Sequence, residues 1–98
     1  MTNNLSIIVP VYNEINAVED SINSLLEIKE LNTNHNIQII VVDDGSDDGT
    51  SELLESLSKE NKEFDLVSYE DNRGYGAAIK QGLTKACYDF IAITDADD

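Results

Sequence analysis

The chain lacks almost everything that would tie it to a disulfide framework, a membrane or a polyanion. Its 98 residues include one cysteine, one proline, no tryptophan and only six basic side chains. A lone cysteine, Cys87, can form neither an internal disulfide nor a zinc cluster, so the chain suits a reducing compartment, and a cytoplasmic location is expected. No apolar run approaches the roughly eighteen residues that a spanning helix needs, and Met1 to Asn4 lacks the basic and apolar regions of a signal peptide. Six bases against 20 acids leave a formal charge of −14. Bare nucleic acid or an anionic membrane surface would meet repulsion instead of counterion release, and a cation is the natural partner. Length limits the chain to one domain, and 41% hydrophobic residues suffice for a single core.

The organising stretch runs from Ile37 to Thr50. Ile37-Gln38-Ile39-Ile40-Val41-Val42 has almost no polar interruption and reads as a strand covered on both faces, as in a parallel sheet. Four aspartates, two glycines and two hydroxyls follow between Asp43 and Thr50, a composition that favours turns and a helix N-cap. Around this core, Leu5 to Val9 reads as a first strand halted by Pro10, which has no amide hydrogen for a ladder. Asn16, with Glu19 as capping-box partner, predicts a helix from Ala17 to Glu30 that buries Val18, Ile22, Leu25 and Leu26. A second helix is expected from Thr50 to Asn61 over Leu53, Leu54 and Leu57. Asp65 to Tyr69 is a less apolar strand suited to a sheet edge. Tyr75 to Ala86 forms a third helix with Ile79, Leu83 and Ala86 facing inward, and Phe90 to Thr94 a fourth strand.

Strand and helix alternate throughout, which predicts an α/β, Rossmann-like, doubly wound parallel sheet. The last residues, Asp95-Ala96-Asp97-Asp98, come directly after a buried strand. That ending reads as the amino-terminal part of a longer domain cut after strand four, and an uncovered apolar edge with self-association through it is expected.

Polar clusters follow three of the strands: Pro10 to Glu14, Asp43 to Ser46, and Asp95 to Asp98. In a parallel sheet all three emerge at the carboxyl edge, where ligands of open α/β sheets bind. Asp95 and Asp97, spaced Asp-x-Asp at a strand end, suit a hard divalent cation such as magnesium or manganese shared with substrate phosphates. Asp44 suits the N–H of a base or the hydroxyls of a ribose, whereas Asp43, Asp47 and Asp48 suit turn closure and helix capping. Tyr12 offers a flat face for a base, or packs against the loops. Arg73 either reaches a phosphate or base or pairs with a nearby acid. Gly74-Tyr75-Gly76 opens a helix without completing a dinucleotide fingerprint, because Ile79 holds its last position.

Four segments together resemble the family 2 glycosyltransferases of GT-A fold. They are Ile8-Val9-Pro10-Val11-Tyr12-Asn13-Glu14; Val41-Val42-Asp43-Asp44-Gly45-Ser46 with Asp48-Gly49-Thr50; Asn72-Arg73-Gly74-Tyr75-Gly76-Ala77-Ala78; and Thr94-Asp95-Ala96-Asp97. The third is similar to the branch of dolichyl-phosphate mannose synthase and related polyprenyl-phosphate sugar transferases, although Asp98 stands where that branch often has glycine. The resemblance implies strand order 3-2-1-4 and an inverting, metal-dependent transfer from a nucleotide-diphosphate sugar to a polyprenyl phosphate or saccharide acceptor. It places Pro10, Tyr12, Glu14, Asp44, Arg73, Asp95 and Ala96 on the nucleotide, and Asp95 and Asp97 on the metal. It puts the general base beyond Asp98, so no catalytic residue is expected within these residues, and the chain alone should bind without turnover.

Two other readings compete. A dinucleotide-dependent oxidoreductase needs a glycine-rich turn after strand one, where this chain has Pro10-Val11-Tyr12-Asn13. A phosphoacceptor receiver module needs its acid pair after the first strand and a lysine after the last, whereas the pair here follows the second and no lysine lies beyond Lys85.

Overall fold

The computed structural model describes residues 4–60 and 63–95. The chain alternates β1 (Asn4–Val11), α1 (Val18–Leu31), β2 (Asn36–Asp44), α2 (Thr50–Glu60), β3 (Asp65–Tyr69), α3 (Tyr75–Lys85) and β4 (Phe90–Ile93). The strands form one parallel sheet in the order β3-β2-β1-β4. This is the doubly wound architecture and the strand order expected from the sequence.

Strict alternation of side chains along β1 and β2 divides the core between the two faces of the sheet. Ile7, Val9, Val11, Ile39 and Val41 join Val18 and Ile22 of α1 and Leu54 of α2 on one face. Ile8, Ile40 and Val42 meet Ala78 of α3 on the other. Both central strands are therefore apolar at successive positions, and each fully buried Ile, Val or Leu contributes about 1.5–3 kcal/mol. β3 is half-buried at Leu66, Val67 and Tyr69 and exposes Asp65 and Ser68, the composition of a genuine edge. β4 differs: Phe90, Ile91 and Ile93 are 63%, 38% and 46% exposed, so both of its faces present apolar surface.

Several boundaries depart from the sequence expectation for identifiable reasons. Pro10 does not halt β1 but lies within it, paired with Val42. The Thr94 amide donates to the Ile8 carbonyl at 3.0 Å, so Ile8 directs its polar groups toward β4. Pro10, two residues on, faces the same side, past the last β1–β4 pair at Ile8 and Ile93. No ladder bond was required of it. β2 extends through Asp43 and Asp44, so both acids belong to the strand and not to the loop.

α1 begins at Val18 with Ala17 at its cap and no side-chain cap bond. The Glu14 carbonyl accepts from the Ala17 and Val18 amides instead, which replaces the predicted Asn16 capping box. The inward face of α3 is also shifted by one residue. Ala78 and Gly82 are buried, Ile79 is half-buried, and Leu83, expected inside, is 47% exposed. Small residues win this face because they let the helix approach the sheet closely. A Cβ added at Gly82 would lie 2.6 Å from Ile8 Cγ2.

At the amino edge, buried Ser6 donates to Gln38 Oε1 at 2.6 Å, and Gln38 also takes the Cys87 amide and gives to the Lys85 carbonyl. One glutamine thus fastens the α3–β4 connection beneath the sheet.

The close α3 contact yields a stability test. Alanine at Gly82 gains about 1 kcal/mol in helix propensity, but forcing a methyl against the branched end of a fully buried isoleucine costs about 1–3 kcal/mol. With a net loss of about 1 kcal/mol, Gly82→Ala is expected to lower the thermal midpoint by roughly 4–8 °C, measured by circular dichroism; an unchanged or raised midpoint would mean that α3 can back away from Ile8.

Candidate functional site

The carboxyl edge of the sheet is built from two interlocked loops. After β1 the chain turns at Asn13, whose φ of 52° is left-handed, a conformation asparagine tolerates better than most residues. The Asn13 amide donates to Ser46 Oγ at 2.9 Å, and its side-chain oxygen accepts from the Asp47 amide at 2.8 Å. Next, the Glu14 amide donates to Thr50 Oγ1 and the Ile15 amide to Asp48 Oδ2. The loop after β1 is thereby bolted to the loop after β2.

Most of the aspartates in the second loop are occupied by this architecture. Asp43 is fully buried, and its carboxylate accepts from the Ser46 amide and from the Ser51 and Ser68 hydroxyls. Asp48 accepts from the Thr50 amide and hydroxyl at the start of α2. Desolvation opposes ionisation of Asp48, but the Thr50 and Ile15 hydrogen bonds outweigh it and hold the carboxyl below the usual aspartate range.

Asp44 has a different set of partners. Only 3% exposed, it accepts from the Arg73 amide at 2.8 Å, the Gly74 amide at 2.9 Å and Asn72 Nδ2 at 2.9 Å. Asn72 also donates to the Asp44 backbone carbonyl. The turn between β3 and α3 is therefore wrapped around one carboxylate. Gly45 makes room for that wrap: with φ at 69°, a Cβ there would lie 2.4 Å from the Asp71 and Asn72 backbone.

Tyr69 sits behind the turn. Its hydroxyl oxygen is buried without a partner in hydrogen-bond geometry. Burial first, and then the neighbouring Asp44 carboxylate, push its pKa above the ordinary tyrosine value.

These loops and the start of α3 enclose a cleft of about 430 Å³ lined by Pro10, Val11, Tyr12, Glu14, Asp44, Asn72, Gly74, Tyr75, Ala78 and Asp95. The topology thus brings together Pro10, Tyr12, Glu14, Asp44 and Asp95, which are widely separated in sequence. Asp95 also borders a smaller groove beside Asp20, Ser24 and Leu25 of α1. The Arg73 side chain is not part of the lining. Its guanidinium stands 4.5 Å from the Tyr69 ring centroid and 3.5 Å from Asp71, while its backbone amide serves Asp44. Ala96 and Asp97 lie outside the described residues.

Sequence reasoning did not assign Asn72, Gly74 and Tyr75 to the site. Their signal was present in the segment Asn72 to Ala78, but its glycines matched no complete phosphate-binding pattern. Among the described residues the cleft wall carries three carboxylates and no basic side chain. An anionic ligand would be repelled unless a cation accompanied it. Among the described residues no three His, Cys, Asp or Glu side chains are grouped to hold an ion by themselves. A cation here would need further oxygens, such as those of a ligand diphosphate.

Residues 6–98 match the family model for glycosyl transferase family 2. The chain belongs to that family. Its curated relatives include the poly-beta-1,6-N-acetyl-D-glucosamine synthases of Staphylococcus aureus, 36% identical over 95% of this chain and 21% of theirs, and of Staphylococcus epidermidis, 33% identical over the same shares. This family 2 chain spans about a fifth of the length of those relatives.

Among solved structures it resembles the mannosyltransferase PcManGT of Pyrobaculum calidifontis in complex with GDP-Man and Mn2+. The TM-score is 0.84 at 27% identity, over 99% of this chain and 28% of that one. It also resembles residues 1–349 of Staphylococcus aureus TarS in complex with UDP-GlcNAc, with TM-score 0.74 at 28% identity, over 99% of this chain and 27% of that one. The family assignment replaces the oxidoreductase and receiver readings. The polyprenyl-phosphate branch is not singled out, since the relatives include a polysaccharide synthase and a mannosyltransferase. No helix among the described residues is long and apolar enough to cross a membrane.

The Asp44 wrap can be tested through the glycine beside it. In Gly45→Ala the strained φ and the overlap with backbone atoms together should cost about 2–4 kcal/mol. Chemical denaturation should show that loss, and amide spectra should show it centred on residues 71–74; a variant as stable as the parent would mean that the turn packs less tightly against β2.

Proposed function

We propose that this chain is the nucleotide-binding part of an inverting glycosyltransferase that takes its sugar from a nucleotide-diphosphate donor. The observation that carries the reading is the convergence of three strand ends on one cleft: Pro10, Tyr12 and Glu14 from β1, Asp44 from β2 and Asp95 from β4. The donors in the two structures it resembles, GDP-Man and UDP-GlcNAc, support the ligand class.

In this reading the half-exposed Tyr12 ring takes the face of the base. Glu14 and Asp95 accept hydrogen bonds from ribose hydroxyls. Asp95 and Asp97 would hold a divalent cation, magnesium or manganese, which would neutralise the diphosphate as it leaves. The acceptor oxygen attacks the anomeric carbon from the face opposite the diphosphate, so the new carbon–oxygen bond forms as the bond to the diphosphate breaks, and configuration inverts. The family resemblance puts the general base that takes any proton from the acceptor outside residues 1–98, which by this reading bind the donor without turning it over. The acceptor is a polyprenyl phosphate or a saccharide, and the parent enzyme works at the cytoplasmic side.

Titration calorimetry with uridine and guanosine diphosphates, with and without magnesium, tests the reading. Binding should be weak, on the order of millimolar or about −4 kcal/mol, and should tighten with the ion. Asp97→Ala should remove the ion's effect. Binding that ignores the ion in the parent chain, or an Asp97→Ala variant that still responds to it, would overturn the metal assignment.

The apolar β4 edge is, by the same reading, a surface that a second copy can cover when the chain stands alone, because its strand has free backbone groups and exposed Phe90, Ile91 and Ile93. Light scattering should show a concentration-dependent dimer that Ile91→Lys abolishes, whereas a monomer at high concentration would exclude it.

A further inference from the structure

We propose that Tyr75 is a second aromatic wall of the nucleoside slot and that Asp44 acts as the positioning residue that presents it. The proposal rests on reading the cleft as a nucleotide site, and it adds a ligand-contacting residue that the family resemblance did not supply.

The chain has four tyrosines. Tyr69 and Tyr88 are half-buried, whereas Tyr12 and Tyr75 are 46% and 57% exposed and line the same cleft. A single exposed aromatic on a convex surface needs no explanation. Two on the walls of one concave site, approached from β1 on one side and from α3 on the other, form a surface suited to a flat π-faced ligand.

The backbone that carries Tyr75 is held with unusual care. Gly74, at φ 102°, turns the chain so that α3 opens directly at Tyr75. The Gly74 amide and its neighbour at Arg73 are both fixed on the Asp44 carboxylate, which also holds the Asn72 side chain. A carboxylate has about four acceptor sites, and three of those on Asp44 are already taken by the turn. Asp44 thus fixes the turn that carries Tyr75 and keeps about one acceptor site of its own toward the cleft it lines. The Arg73 guanidinium, drawn off onto Tyr69 and Asp71, does not fill the slot.

The ligand class this arrangement selects is a nucleoside of either ring size, since every base presents a π-face and stacking is tolerant of sequence. Discrimination between bases falls to edge groups such as the side-chain oxygen of Asn72, a residue that lines the same cleft and whose amide nitrogen is held by Asp44.

The test uses the full chain with magnesium and three probes: uridine diphosphate, guanosine diphosphate and inorganic pyrophosphate. Ring resonances of Tyr12 and Tyr75 should shift with both nucleoside diphosphates and stay in place with pyrophosphate. Tyr75→Ala should weaken both nucleoside diphosphates about tenfold and leave pyrophosphate unchanged, and Tyr75→Phe should restore binding. Asp44→Asn should weaken nucleoside binding and quench the response of the Tyr75 ring while Tyr12 still shifts. If the parent binds and Tyr75→Ala binds equally well, the second wall is refuted and the nucleotide reading stands. If Asp44→Asn leaves the Tyr75 response intact, the positioning role is refuted. Should the parent bind no nucleoside diphosphate at all, both the slot and the nucleotide reading fall together.

Discussion

The structure depends most on a carboxylate taken out of water. Asp44 ends a central strand at 3% exposure, and backbone and side-chain N–H groups of residues 72–74 converge on it there. A buried carboxylate without such donors would be costly. With them it becomes the fixed point from which the β3–α3 turn, the first residues of α3 and one wall of the cleft are all suspended. Asp43, one residue earlier and on the opposite face, does the same for α2 and β3 through the Ser51 and Ser68 hydroxyls. Adjacent acids on alternating faces thus organise opposite sides of the sheet edge.

Packing beneath the edge follows from the same alternation. β1 and β2 bury every side chain on both faces from Ile7 to Val9 and from Ile39 to Asp44. α1 and α2 reach their face with leucines, isoleucine and valine, whereas α3 reaches the other with Ala78 and Gly82. The close approach of α3 brings Tyr75 and Ala78 into the lining of the same cleft as Pro10, Val11 and Asp44.

Charge then limits what the cleft can accept. Glu14, Asp44 and Asp95 line it, and the chain's one arginine, Arg73, is turned onto an aromatic ring and an aspartate. Two solved structures that it resembles hold sugar nucleotides, one of them with Mn2+; under the proposed function a cation would stand between such a wall and the diphosphate. The formal charge of −14 and the local acid wall point to the same partner at two scales.

The element order, the parallel sheet and the central place of β2 were legible in the sequence, because unbroken apolar runs alternating with helical periodicity leave few other arrangements. So was the gathering of Tyr12, Glu14, Asp44 and Asp95, since parallel strands send all their carboxyl ends to one edge. Hydrogen-bond direction was not legible: whether Pro10 would break β1 depended on where β4 ends, and β4 lies some eighty residues later. Nor could the sequence place the inward face of α3, because Leu83 is the better apolar residue, yet only Gly82 fits against Ile8. The roles of Asp43 and Asp44 were likewise undecided by residue type, as both are short acids able to hold a turn or a ligand. Tertiary structure divided them by setting serine hydroxyls around one and the amides of a distant turn around the other, and it brought Tyr75 to the cleft through those amides.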